Sequence, residues 1–286
     1  MDRMDFREIG RLVSDDRIAL EYLWKKRELT ICPFCDSSEF YFIGRNRVRC
    51  KECRKDLWPL QGTRFSSLRI APSQWLSLIK LFELSVSARK ASQDIHLSYK
   101  TTLRAYDILR MVLVEELART DAILKGELEA DEAYFGGKRK GKRGRGAGGK
   151  TIVFGILERG GKVSVSIVQD VSAESLMTET VKRVRRGSIV YTDKWKGYDS
   201  LMFCGYKHLN IDHRYKFKQG KVYINGIEGF WSFAKERLIK HHGISRQKFL
   251  YYIKEMEWRY NHRGKDLFEY LIDLMLDETG LVVEVT

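Results

Sequence analysis

Apolar residues recur every three or four positions through residues 1–29: Phe6, Ile9, Leu12 and Val13, then Ile18, Leu20, Leu23 and Trp24. That spacing predicts a small amphipathic helical lead-in. The period then shortens. Phe40-Tyr-Phe-Ile43 and Arg47-Val-Arg49 read as two short strands. Helical spacing returns over residues 72–120, where Trp75, Leu76, Ile79 and Phe82 open a first run. A short second helix follows over 87–96, and a third opens at Ser98 with Lys100 and Thr101 near its start. Short helix, tight turn, then a helix with Lys and Thr at its beginning is a helix-turn-helix pattern.

From residue 125 the texture changes. Leu128 and Ala130 alternate with Glu127, Glu129 and Asp131, and residues 151–157 and 163–168 are strand runs. Residues 173–185 read as a helix, and Ser188-Ile-Val-Tyr-Thr192 as a strand that Asp193 closes. Three strands, a helix and a further strand ending in an acid is the opening order of an RNase H-like fold. Helices are expected from 223, over 248–260 and over 267–276, with a strand or tail at 281–285. The expected class is α/β, with an RNase H-like core (a mixed sheet with flanking helices) over 125–276. A lead-in at 1–29, a small zinc ribbon at 30–62 and the helix-turn-helix-like region at 72–122 precede it.

The ribbon rests on cysteine spacing. Cys32-x-x-Cys35 and Cys50-x-x-Cys53 are separated by 14 residues. Each pair offers two thiolates to one tetrahedral zinc, and four thiolates leave no open position for catalysis, so the zinc is structural. The ribbon also carries Arg45, Arg47, Arg49, Lys51, Arg54 and Lys55, a set suited to DNA contact. Cys204 stands alone and reads as an inert thiol.

Charge changes the picture further. The 286 residues carry a net charge of +14, which favours a polyanion partner, most often nucleic acid. The segment 138–150 alone holds seven basic residues, Lys138, Arg139, Lys140, Lys142, Arg143, Arg145 and Lys150, with five glycines and no acid. It reads as a phosphate-gripping loop. It is not a nucleotide P-loop, since no strand leads directly into it and a strand, not a helix, follows. Basic and aromatic residues are interleaved over 194–222, which suits nucleic-acid contact; His208 and His213 receive no role. No run of 18 apolar residues exists and the first residues lack the apolar core of a signal peptide, so no membrane span and a reducing cytoplasm are expected.

Asp131 in a strand, Asp193 at a strand end and Glu228 at the start of a helix are candidate ligands for two Mg²⁺ (or Mn²⁺) ions. Phosphodiester transfer needs charge neutralised on the attacking and leaving oxygens, and Mg²⁺ takes oxygen ligands. Asp131 would bridge the ions, with Asp193 and Glu228 on the flanks. Lys235, seven residues after Glu228 and on the same helix face, is the candidate phosphate contact. Asp170, Asp199 and Glu132 compete. Glu132 ranks lower, because strand alternation turns it away from Asp131.

These motifs resemble a bacterial insertion-sequence transposase of the DDE type, in the group with an N-terminal zinc ribbon and an ISXO-like transposase domain. The likeness runs from about Thr30 to Leu276. It is carried by the two cysteine pairs, Ala130-Asp-Glu-Ala-Tyr-Phe-Gly-Gly137, Tyr191-Thr-Asp-Lys194 and Asn225-Gly-Ile-Glu-Gly-Phe-Trp-Ser232. The resemblance implies Asp131, Asp193 and Glu228 as the triad, with Lys235 as the lysine that follows it; Asn225 is a neighbour of interest, because some relatives have Asn as third residue. It implies double-stranded DNA as partner, both terminal inverted repeats and target. It further implies hydrolysis that frees a 3′-hydroxyl, strand transfer, a homo-oligomer and a nucleoid-associated bacterial protein. Two other readings stay open: a DNA-binding regulator with a silent RNase H-like domain, and an RNase H-like nuclease without strand transfer.

Overall fold

The computed structural model describes residues 4–27, 31–44, 46–120, 123–136, 150–193, 205–211, 224–241 and 243–277. They form two compact units: Met1–Glu116 with Gly264–Thr286, and Leu117–Arg263.

The first unit begins with α1 (Phe6–Val13) and α2 (Asp16–Lys26). Asp5 accepts the N–H of Arg7 and Glu8, and Glu8 accepts the N–H of Asp5 at 2.8 Å, a reciprocal capping box. Asp15 caps α2 in the same way, accepting from Arg17 and Ile18. The ribbon sheet is β1 (Phe40–Ile43), β2 (Arg47–Cys50) and β3 (Asp56–Leu57), antiparallel in that order. The third strand is two residues long, too short to leave a periodic signal. Pro72 opens α3 (Pro72–Glu83), where its missing N–H costs nothing. Then come α4 (Ala88–Asp94) and α5 (Tyr99–Arg119), the pair expected as a helix-turn-helix. The last helix, α9 (Leu267–Leu276), packs on α3, and Lys26 of α2 reaches Glu269 on it at 2.7 Å. The sequence pattern carried α9 onward from the RNase H-like core; its apolar face is buried in the first unit instead.

The second unit is built on a five-stranded sheet. Its strands are β4 (Glu127–Phe135), β5 (Thr151–Glu158), β6 (Val163–Val168), β7 (Ile189–Asp193) and β8 (Lys207–Ile211). The spatial order is β6-β5-β4-β7-β8; β4, β5 and β6 are antiparallel, while β7 and β8 run parallel to β4. With α6 (Ala173–Arg183) crossing from β6 to β7, this is the RNase H-like order and direction. The strand β8 falls where the sequence shows only a run of basic and polar residues. Its sequence, Lys-His-Leu-Asn-Ile, carries too little alternation to stand out.

Strand alternation divides the core. Leu128, Ala130, Phe154, Ile156 and Val190 pack with Leu176 of α6 on one face. Ala133, Phe135, Val153, Leu157 and Val165 pack on the other against α7 (Asn225–Leu238) and α8 (Arg246–Asn261). Each fully buried aliphatic side chain here contributes about 1.5–3 kcal/mol. Helix α8 also closes the sheet edge. Asn261 accepts the N–H of Val163 at 2.8 Å and donates to its carbonyl at 2.9 Å, and Glu257 accepts the N–H of Val165 at 3.1 Å. These side chains occupy backbone groups of β6 that would otherwise offer a template for a further strand. Among the described residues, no helix is long and apolar enough to cross a membrane.

Candidate active site and metal centres

Glu127, Glu129, Asp131, Ala133 and Phe135 share one face of β4, acidic toward the start of the strand and apolar toward its end. Strand β4 runs beside β7 with Glu129 opposite Tyr191. The ladder ends at that pair; Asp131 and Asp193 lie two residues beyond it on the two parallel strands, near enough for the Asp193 charge to act on Asp131. Burial pushes the Asp131 carboxyl up to about 7, and the charges of Glu132 and Asp193 add to the rise, against the hydrogen bonds from the Glu132 backbone and Trp231. A site that raises a carboxyl this way is short of positive charge. Carboxylates such as Asp131 and Asp193 could hold a divalent cation, which would supply it, and their oxygen donors are the kind Mg²⁺ prefers. Glu132, on the opposite face by alternation, is only 9% exposed.

Helix α7 lies over β4 and β5 on this face, pinned by two hydrogen bonds to β4. The N–H of Ile227, in its first turn, donates to Glu129 at 3.0 Å. The indole N–H of Trp231, one turn later, donates to Asp131 at 3.1 Å. Glu129 is 1% exposed and also accepts from Arg159 at 3.0 Å. Arg159 in turn pairs with Glu127 at 2.6 Å and lies over the Tyr191 ring at 3.8 Å. A carboxylate buried at a helix start is compensated twice there, by the guanidinium and by the helix dipole. The approach is close enough to require glycine at 226, since a Cβ there would lie 2.8 Å from the Glu129 carboxylate oxygen.

Glu228 falls between the two pinned residues of α7. Glu228 and Lys235 are exposed and lie three residues before and four after Trp231, along one stripe of the helix. Among the described residues the four cysteines are the one set of three or more ligating side chains close enough to share an ion; Glu228 does not complete such a set with Asp131 and Asp193. Asn225 is the first residue of α7 and is exposed. Of the competing acids, Asp170 accepts from the hydroxyls of Ser172 and Ser175 at the start of α6, which hold its carboxyl down at about 2. Asp199, Lys194, Cys204 and His213 lie outside the described residues. His208 meets the Thr192 hydroxyl at 2.8 Å. Lys138, Arg139, Lys140, Lys142, Arg143 and Arg145 also lie outside them, whereas Lys150 is half-buried just before β5. The chain leaves β4 and enters β5 at the same end of the sheet at which β7 ends in Asp193.

In the ribbon, the thiol sulfurs of Cys32, Cys35, Cys50 and Cys53 all lie within 4.8 Å of one another. Cys32 and Cys53 are 3.6 Å apart, and Cys35 and Cys50 3.5 Å. Four sulfurs around one tetrahedral zinc at about 2.3 Å sit roughly 3.8 Å apart, so the set fits. Burial works to raise the Cys50 thiol, but the backbone N–H of Cys53 and the Cys35 thiol outweigh it and draw Cys50 down to about 6. Three of the ribbon's basic residues are paired with acids of the ribbon itself. Arg47 and Arg49 both pair with Asp56, at 2.8 and 2.6 Å, and Lys51 pairs with Glu39 at 3.0 Å.

Sequence reasoning missed Glu129, Arg159, Gly155, Gly226 and Trp231. Glu129 left a signal: it sits two positions before Asp131 and so shares its face. Trp231 and Gly226 lie inside the Asn225–Ser232 motif, of which only Glu228 and Asn225 drew attention.

Residues 123–261 match the family described as ISXO2-like transposase domain, and residues 14–56 match the transposase zinc-ribbon domain. A transposase-like protein of Haemophilus influenzae is 40% identical over 101 residues, covering 35% of this chain and 82% of the relative. A protein in transposable element ISH50 of Halobacterium salinarum is 26% identical over 299 residues, covering 94% of this chain and 99% of the relative. The catalytic core domain of BIV integrase shows a distant likeness, with a TM-score of 0.34 at 11% identity over 49% of this chain and 86% of that one. The chain belongs to the ISXO2-like transposases of insertion sequences, and its N-terminal ribbon is the transposase zinc ribbon.

Proposed function

We propose that this transposase works by the DDE mechanism, cutting double-stranded DNA at the ends of its element and joining them to target DNA. The observation that carries the reading is the course of the parallel strands β4 and β7 to Asp131 and Asp193, near enough for one charge to act on the other, with a helix bearing Glu228 pinned to β4 at Asp131. Asp131, Asp193 and Glu228 would hold two Mg²⁺ or Mn²⁺ ions. Bound there, such ions activate the attacking oxygen and stabilise the leaving one. Lys235, on the exposed stripe of α7, holds the DNA phosphate. Lys150 and the basic residues before it grip the DNA backbone. The ribbon zinc is structural, and the ribbon with the α4–α5 pair supplies the contacts to the terminal inverted repeats. Two ends must be held together for joining, so the working form is a homo-oligomer.

Asp131→Ala, Asp193→Ala or Glu228→Ala is expected to abolish metal-dependent cleavage of a labelled end duplex while gel-shift affinity stays within a few-fold of wild type. Full cleavage by any of the three would remove that residue from the site.

A further inference from the structure

In the catalytic reading, Trp231 only pins α7 and is given no part at Asp131. Its ring is 4% exposed, wedged between α7 and the sheet. Phe135 of β4 meets it edge-on with centroids 6.1 Å apart, and Phe230 packs beside it at 5.1 Å. These rings fix the plane of the indole, and therefore the direction of its N–H. That N–H points at Asp131 Oδ2, 3.1 Å away.

The sheet makes room for this contact. Asp131 pairs across β4 and β5 with Gly155. A Cβ at Gly155 would fall 2.6 and 2.7 Å from two ring carbons of Trp231 and 3.1 Å from Ile227. Gly155 has no positive φ and stands in the middle of a strand, so no turn explains it. Its absent side chain is the space the indole occupies.

We infer that Trp231 is a positioning residue for Asp131, seated by Gly155, whose indole N–H holds the carboxylate in the orientation that receives a divalent cation. The inference rests on the proposed metal site at Asp131 and Asp193. Like charge from Asp193 works to turn the Asp131 carboxylate away, and a fixed donor on Oδ2 resists that turn. An indole suits the task. It donates one hydrogen bond and accepts none, so it cannot itself ligate a cation, and it is neutral, so it leaves the carboxylate's charge for the ion. Donors of this kind behind a metal ligand commonly set affinity as strongly as the ligand's own geometry.

The test is Mn²⁺ binding by calorimetry on the zinc-loaded full chain, comparing wild type, Asp131→Ala and Trp231→Phe. Phenylalanine keeps most of the ring's packing and removes the N–H. The binding that Asp131→Ala abolishes should weaken about 10–100-fold in Trp231→Phe, with far-UV circular dichroism and zinc content unchanged. Wild-type affinity in a folded Trp231→Phe protein would overturn the inference. If wild type itself shows no binding that depends on Asp131, the metal site falls and the inference with it. A second readout needs no variant: in ¹⁵N-indole spectra of wild type, the N–H resonance in through-space contact with Phe135 should move when Mg²⁺ fills the site. A resonance that stays put while calorimetry reports Asp131-dependent binding would also overturn it.

Discussion

Asp131 shows what a buried carboxyl costs a fold. Its carboxyl is raised to about 7 from an ordinary 3.8, chiefly by burial. An acid raised in the folded state ionises first in the unfolded chain. Stability therefore falls as pH climbs from the unfolded value through the folded one, and the loss is complete above it. Asp131→Asn removes the charge and keeps an acceptor for Trp231. The metal-free variant should melt higher than wild type at pH 8, by roughly 2–4 °C for each kcal/mol relieved, with the gap closing toward pH 4. Calorimetric scans at the two pH values check this; an unchanged or lower melting point at pH 8 would mean the carboxylate is not strained. The residue-level reading was legible where a residue type is rare and regularly spaced, as in the paired cysteines of the ribbon. It was not legible at Gly155 or Trp231. A strand glycine and a helix tryptophan each look like ordinary core until a register brings them face to face.

At the scale of elements, periodicity carried the strands β4 to β7 and the helices well, because each has a buried face over several residues. It failed at β3, with two residues, and at β8, a polar edge strand. It also could not say what α9 would meet: an amphipathic stripe states that a face is buried, not against what. The ribbon is the element whose stability is most exposed. Strands of four, four and two residues lack the length to persist alone, so four thiolates on one ion must hold them. Chelation of zinc, or Cys32→Ser, should lower affinity for end DNA at least tenfold while the second unit, which has its own core, melts as before. Gel shifts and calorimetric scans decide it, and unchanged affinity would deny the ribbon a part in end recognition.

For the whole molecule, a net charge of +14 means that binding releases counterions from DNA. Affinity should fall by roughly 10³-fold or more between 50 and 200 mM salt if six or more phosphates are gripped. Substituting Ala for Lys138, Arg139 and Lys140 together should flatten that slope, as anisotropy titrations would report; an identical slope would place the phosphate grip elsewhere on the chain. Charge and family membership point to DNA, but chemistry on DNA is what the pair of aspartates claims. The most direct test is Mg²⁺-dependent cleavage and joining of a labelled duplex carrying the element's end, with wild type beside Asp193→Ala. The expected result is nicking and joining by wild type and neither by the variant, with both binding the duplex. Wild type that binds but never cuts under Mg²⁺ or Mn²⁺, or a variant that cuts as well as wild type, would contradict it.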